Sequence, residues 1–126
     1  MSRCKDRILK LLTAIVRVRD KSCIFARYPE TGQCSGFTAA DHIISRVKSI
    51  SYAETRNVIE VCTRHHIYWK PQNPLKYTEI VRLYIGENTW KWIERVSRDN
   101  KSYSFGIYEW GKCEMALKKE LETYTL

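Results

Sequence analysis

The sequence predicts an α+β domain in which a short antiparallel pair of strands follows one helix and precedes several others. Three observations carry this. Residues 5–20 place Ile8, Leu11, Leu12, Ile15 and Val18 at the spacing of one helical face. Two five-residue segments, 40–44 and 58–62, are strand-like and lie either side of a polar stretch. From residue 63 onward apolar residues recur at helical spacing, with Pro74 placed to open a helix and Gly86 to stop it.

Each element has a local reason. Lys5, Arg7, Arg17 and Arg19 occupy the polar faces of the first helix. Residues 21–37 contain Pro29, Gly32 and Gly36 and read as a loop. Lys48, Ser49, Ser51 and Glu54 mark the connection between the two strands. A short helix is expected from about Thr63, ending before Pro71, and Leu75, Ile80, Val81 and Leu83 carry the next one to Ile85. Trp90, Ile93 and Val96 indicate another short helix, residues 99–106 a connection, and 108–124 a final helix with Trp110, Cys113, Leu117 and Leu121 on one face.

The chain has 126 residues, enough for one domain spanning 1–126 with a core that needs no disulfide staples. Four Trp, eight Tyr and three Phe argue against long disorder. The most apolar stretch, Ile8 to Val18, is broken by Lys10 and Arg17, too short for a membrane span and too charged for a secretory core. A cytoplasmic protein with reduced thiols is therefore expected.

The formal net charge of +8 is uneven. Up to residue 70 there are 13 basic against 6 acidic side chains; beyond it the count is 9 against 8. That excess suits a polyanion, because neutralising phosphates releases condensed counterions. The five cysteines cannot all pair, so metal binding is the first alternative. Cys113 falls on the face of the final helix and Cys4 at the start of the chain. Cys23, Cys34 and Cys62 remain, with His65 and His66 beside the last of them.

In order along the chain stand Asp41-His42-Ile43-Ile44-Ser45-Arg46 and then Asn57-Val58-Ile59-Glu60-Val61-Cys62-Thr63-Arg64-His65-His66. This arrangement resembles the HNH endonuclease family, whose core is a hairpin followed by a helix (ββα-metal). The segment from Asn73 to Tyr77, with Gly86-Glu87, resembles the extension of some phage and bacterial members. The resemblance covers about residues 23–95; the domain is expected to have its core at about 23–70 and flanking helices at about 5–20 and 74–124, and the helices outside 23–95 are not explained by the resemblance. It implies a phosphodiesterase acting on DNA in a phage or mobile-element setting, leaving a 5′-phosphate and a 3′-hydroxyl.

On that resemblance His42 is the general base, a task imidazole performs well near neutral pH. Asp41 and His66 would hold a catalytic Mg²⁺ or Mn²⁺ that neutralises charge at the scissile phosphate. Because strand side chains alternate, Asp41 and His42 should point to opposite sides unless the strand bends locally. Asn57 would steady the hairpin loop and the base. Cys23, Cys34, Cys62 and His65 would form a separate, closed Zn²⁺ site, with His65 standing where many relatives carry a Cys. Ten residues separate Cys23 from Cys34 and would have to loop out; two unrelated buried thiols are the alternative. Arg46, Arg56 and Arg64 bracket the site and are candidates for phosphate contacts, or for pairing with Glu54 or Glu60. Tyr68, Trp69, Trp90 and Trp92 could stack on bases or pack the helices on the hairpin. A monomer would nick, whereas a symmetric homodimer could cut both strands. Two other readings stay open: a non-catalytic zinc-containing DNA-binding module, and an accessory protein of phage recombination or packaging on the same scaffold.

Overall fold

The computed structural model describes residues 2–99, 101 and 103–125. It is a mixed helix-and-sheet structure. Helix α1 (Ser2–Asp20) is followed by two 3-10 turns (Ile24–Arg27 and Pro29–Thr31) and strand β1 (Thr38–His42). A single turn α2 (Ser49–Tyr52) and a 3-10 turn (Thr55–Asn57) lead into β2 (Val58–Cys62). A π-helical segment (Arg64–Trp69) continues as α3 (Lys70–Gln72), then α4 (Pro74–Ile85), α5 (Glu87–Ser97) and α6 (Ile107–Thr125). The expected connection at 99–106 includes Asn100 and Ser102, which lie outside the described residues. Among the described residues no helix is long and apolar enough to cross a membrane.

β1 and β2 pair antiparallel, with Thr38 opposite Cys62 and His42 opposite Val58. This two-stranded sheet divides the core. On one side α1 buries Ile8, Leu12, Ile15 and Val16 against Ala40, Val58, Trp110 and Leu117, so α1, α6 and one sheet face share a cluster. On the other, Ile59 and Val61 meet Phe25, Tyr77, Ile80 and Val81. A two-stranded hairpin is marginal alone in water, and cover on both faces is what stabilises it.

The structure shifts several expected boundaries, each for a local reason. The buried stripe of α1 closes on Val16 rather than Val18, which is 41% exposed, because positions 8, 12, 15 and 16 form the tighter helical face. β1 begins two residues early and stops at His42. Beyond it the Asn57 side chain takes over the ladder, accepting from the Ile44 amide (2.6 Å) and donating to the Ile44 carbonyl (3.2 Å). The helix after β2 passes through Pro71 instead of ending before it. Its ladder has already widened there, the Lys70 amide bonding five residues back to the His65 carbonyl, and a wider turn relieves the clash a proline ring meets in an α-helix.

The end of α1 is tied to both β2 and α4 by one carboxylate. Asp20 is fully buried and accepts from both guanidinium arms of Arg19 (2.8 and 3.0 Å), from the Tyr84 hydroxyl (2.7 Å) and from the Glu60 amide (3.0 Å). Removing one member of such a network leaves the others desolvated and unpaired. Asp20→Ala is expected to cost about 3 kcal/mol, read as a lower urea midpoint with an unchanged slope.

Candidate functional site

Four side chains from three parts of the chain converge beside the hairpin. Cys23 precedes the first 3-10 turn, Cys34 lies in the loop before β1, Cys62 ends β2, and His65 is the second residue of the π-helical segment. Their ligating atoms all lie within 4.8 Å of one another. His65 Nδ1 is 3.1 Å from the Cys62 sulfur, 3.7 Å from that of Cys34 and 3.9 Å from that of Cys23. A tetrahedral zinc bound at about 2.3 Å to sulfur and about 2.0 Å to nitrogen separates such atoms by about 3.5–3.8 Å. The donor set and its spacing are those of a structural Cys₃His site, able to hold a metal ion such as zinc.

The surroundings fix the donor atoms. The Thr31 hydroxyl gives its proton to the Tyr28 carbonyl (2.8 Å), so it can only accept from His65 Nε2 (2.9 Å), which also reaches the Thr31 carbonyl (3.1 Å). His65 therefore carries its proton on Nε2 and turns the Nδ1 lone pair toward the three sulfurs. Phe25 stacks on its ring at 5.1 Å and 17°. Burial pushes the Cys23 thiol up to about 12, despite hydrogen bonds from the Cys62 and Phe25 amides. Burial also raises Cys34 and lowers His65. At Cys62 burial is outweighed by the His65 and Ser35 amides and the two neighbouring thiols, and its pKa falls.

The ten residues between Cys23 and Cys34 do not simply loop out. They fold into the two 3-10 turns and bury Ile24, Phe25 and Thr31. Gly32 and Gly36 flank Cys34 with φ of +83° and +82°, and a Cβ on Gly36 would fall 2.6 Å from the Thr63 Cβ. Only glycine holds this loop so close to the helix start. Gly36→Ala combines a left-handed strain of about 1–2 kcal/mol with that clash, so zinc affinity should drop about 10- to 100-fold in a competition titration with a chromophoric chelator.

A second group lies on the face of the hairpin covered by the helix. Asp41 and His66 line a groove of about 200 Å³ with Arg46, Ala39, Thr63 and Ile67. Asp41 Oδ1 and His66 Nδ1 stand 3.4 Å apart without the geometry of a hydrogen bond, and His66 Nδ1 is buried without a partner. The other oxygen, Oδ2, accepts from the Tyr77 hydroxyl and from Lys70 Nζ (3.4 Å). Adjacent positions on a helix point in different directions, which is how His65 and His66 serve two separate clusters.

His42 lies on the opposite face of β1, as strand alternation requires. Its Nε2 is 2.9 Å from the Tyr52 carbonyl and its ring stacks on Tyr52 at 4.9 Å. A carbonyl only accepts, so Nε2 carries the proton and Nδ1 the lone pair. That Nδ1 is buried without a partner, and the residue is 7% exposed. Burial lowers the His42 pKa, with Arg46 adding to the effect and the Tyr52 carbonyl and Asp41 opposing it. The structure thus brings Asp41 and His66 together, while His42 does not line their groove. Asn57, fully buried, bonds the loop backbone at Ile44 and Ser51 (3.1 Å) rather than His42 itself. Its influence on the imidazole passes through the loop that ends in Tyr52.

The three arginines separate. Arg46 is exposed at the groove. Arg56 lies 4.0 Å over the Trp92 ring and pairs with Glu54 at 3.3 Å. Arg64 turns inward and donates to the Thr31 and Gln33 carbonyls (2.9 and 2.8 Å), bracing the Cys34 loop, so its guanidinium is committed to that loop. Trp69 packs on Phe25 and His65, whereas Tyr68 is 65% exposed. Sequence reasoning missed Tyr77, Lys70, Tyr52 and Thr31. Lys70 follows His66 by four residues, the spacing of helix neighbours, and is the one a periodicity argument could have found. None of the known protein families, curated proteins or solved structures matches the chain.

Proposed function

We propose that the chain is a metal-dependent endonuclease of the HNH type, in which β1, β2 and the following helix form a ββα-metal core that cleaves DNA. The observation that carries this reading is the pair Asp41 Oδ1 and His66 Nδ1. The two atoms lie 3.4 Å apart as an ion pair without a hydrogen bond, while the remaining carboxylate oxygen is held by Tyr77 and Lys70. Two ligand atoms at that distance, with no hydrogen bond between them, suit one Mg²⁺ or Mn²⁺, whose adjacent ligands at about 2.1 Å lie about 3.0 Å apart. Such an ion supplies charge neutralisation at the scissile phosphate and the departing oxygen.

The chain's own groups supply the rest. The Tyr52 carbonyl fixes the tautomer of His42, leaving Nδ1 to take the proton as water attacks phosphorus and the 3′ oxygen departs. Asn57 holds the loop carrying Tyr52. Arg46 positions phosphate, and Lys70 is a further cation on that side of the groove. His42 Nδ1 is closed off in the free protein, so this role requires the surroundings of the imidazole to open when DNA binds. That same burial favours the second reading, a non-catalytic zinc-containing DNA-binding module in which His42 is a packed core residue. Incubating zinc-loaded protein with supercoiled plasmid and Mg²⁺ or Mn²⁺ separates them: the nuclease yields open circles, the binding module only a retarded complex.

A further inference from the structure

We infer that Tyr77, to which the resemblance gives no role, is a positioning residue that selects which oxygen of Asp41 faces the catalytic ion. This rests on the nuclease reading, in which Asp41 and His66 share a divalent ion.

A carboxylate has two equivalent oxygens and rotates freely unless something distinguishes them. Here the distinction is complete. Oδ2 takes the Tyr77 hydroxyl from α4 and the Lys70 ammonium from α3, while Oδ1 is left beside the unpartnered His66 Nδ1. The phenol is well placed to impose this, because it cannot swing away. Tyr77 is 6% exposed, its ring lies 4.8 Å from that of Phe25, and Lys70 Nζ sits 4.6 Å above it. Phe25 in turn stacks on His65, so Tyr77, which orients Asp41, connects through Phe25 to a residue of the Cys₃His cluster. The two clusters thereby share one rigid aromatic stack. Hydrogen bonds to a ligating carboxylate matter to metal affinity nearly as much as the ligand, with losses of about 10- to 100-fold on their removal.

The test is Tyr77→Phe, which keeps the ring and deletes only the hydroxyl. Mn²⁺ binding to zinc-loaded protein, followed by the loss of the free-ion EPR signal, should weaken 10- to 100-fold, with zinc content unchanged and cooperative melting retained. Nicking by the variant at limiting Mn²⁺ should fall correspondingly and recover as Mn²⁺ is raised by the same factor, a rescue that a purely packing role would not show. Asp41→Ala, measured alongside, should abolish binding at that site. If Tyr77→Phe binds Mn²⁺ as tightly as the wild type while Asp41→Ala does not bind, the positioning role is wrong and the ion site stands. If Asp41→Ala binds as the wild type does, the ion site itself is misplaced and the inference falls with it.

Discussion

Cys62→Ser is expected to abolish zinc binding and, with it, the cooperative folding of the half of the domain that contains the site. Cys62 ends β2 at 1% exposure, and its sulfur makes the shortest approach to His65 Nδ1. The four ligands tie together the loop before β1, the end of β2 and the helix that follows. Apparent binding free energies of structural zinc are about 10–16 kcal/mol, whereas whole domains are stable by about 5–15 kcal/mol. The ion's contribution is thus comparable to the entire stability of the fold. Elemental analysis of freshly purified wild type should give one zinc per chain, and Cys62→Ser none, with a broad, shallow melting curve. The same loss should follow acidification, because protons compete with the metal for thiolates and for His65. Well-folded wild type containing no zinc would remove the Cys₃His assignment.

His42→Ala should lower the nicking rate by about 10²- to 10⁴-fold, the usual contribution of a general base, while leaving DNA affinity nearly intact. The pH dependence carries the sign of its environment. Burial and Arg46 hold the His42 pKa below its ordinary 6.5, so the imidazole is already a base at neutral pH. Wild-type rates should be flat above about 6.5 and decline only at lower pH, and His42→Ala should lack that acid limb. Stability follows the same direction. A histidine buried neutral contributes fully above the unfolded value of 6.5, and that contribution is lost as pH falls toward the depressed folded value. A mild acid destabilisation beginning below 6.5, smaller in His42→Ala than in the wild type, is the equilibrium counterpart of the kinetic limb.

Much of the scaffold could be read from local signals. Pro74 and Gly86 bound α4 as expected, and the spacing of Ile8, Leu12 and Ile15 located the buried face of α1. The opposite orientation of Asp41 and His42 followed from strand alternation. Cys23, Cys34, Cys62 and His65 were identifiable as residue types, and they converge.

What could not be read depends on long-range placement. Arg64 looked like a phosphate contact because it is basic and near the motif; only the path of the Thr31–Gln33 segment shows that carbonyls claim it. Tyr77 is 36 residues from Asp41, and nothing in its neighbours marks it as a carboxylate partner. The π-helical turn that carries His65 and His66 leaves no periodic signal in the sequence, because so short a segment reads as an ordinary helix.

The most direct measurement is a parallel nicking assay on zinc-loaded wild type, His42→Ala and Asp41→Ala, using supercoiled plasmid and 5′-labelled duplex with Mg²⁺ or Mn²⁺. Wild type should give open circles only in the presence of a divalent ion, with products ending in 5′-phosphate and 3′-hydroxyl, and either variant should give little conversion. Intact plasmid with wild type under every divalent ion, or cleavage by His42→Ala at the wild-type rate, would contradict the nuclease reading.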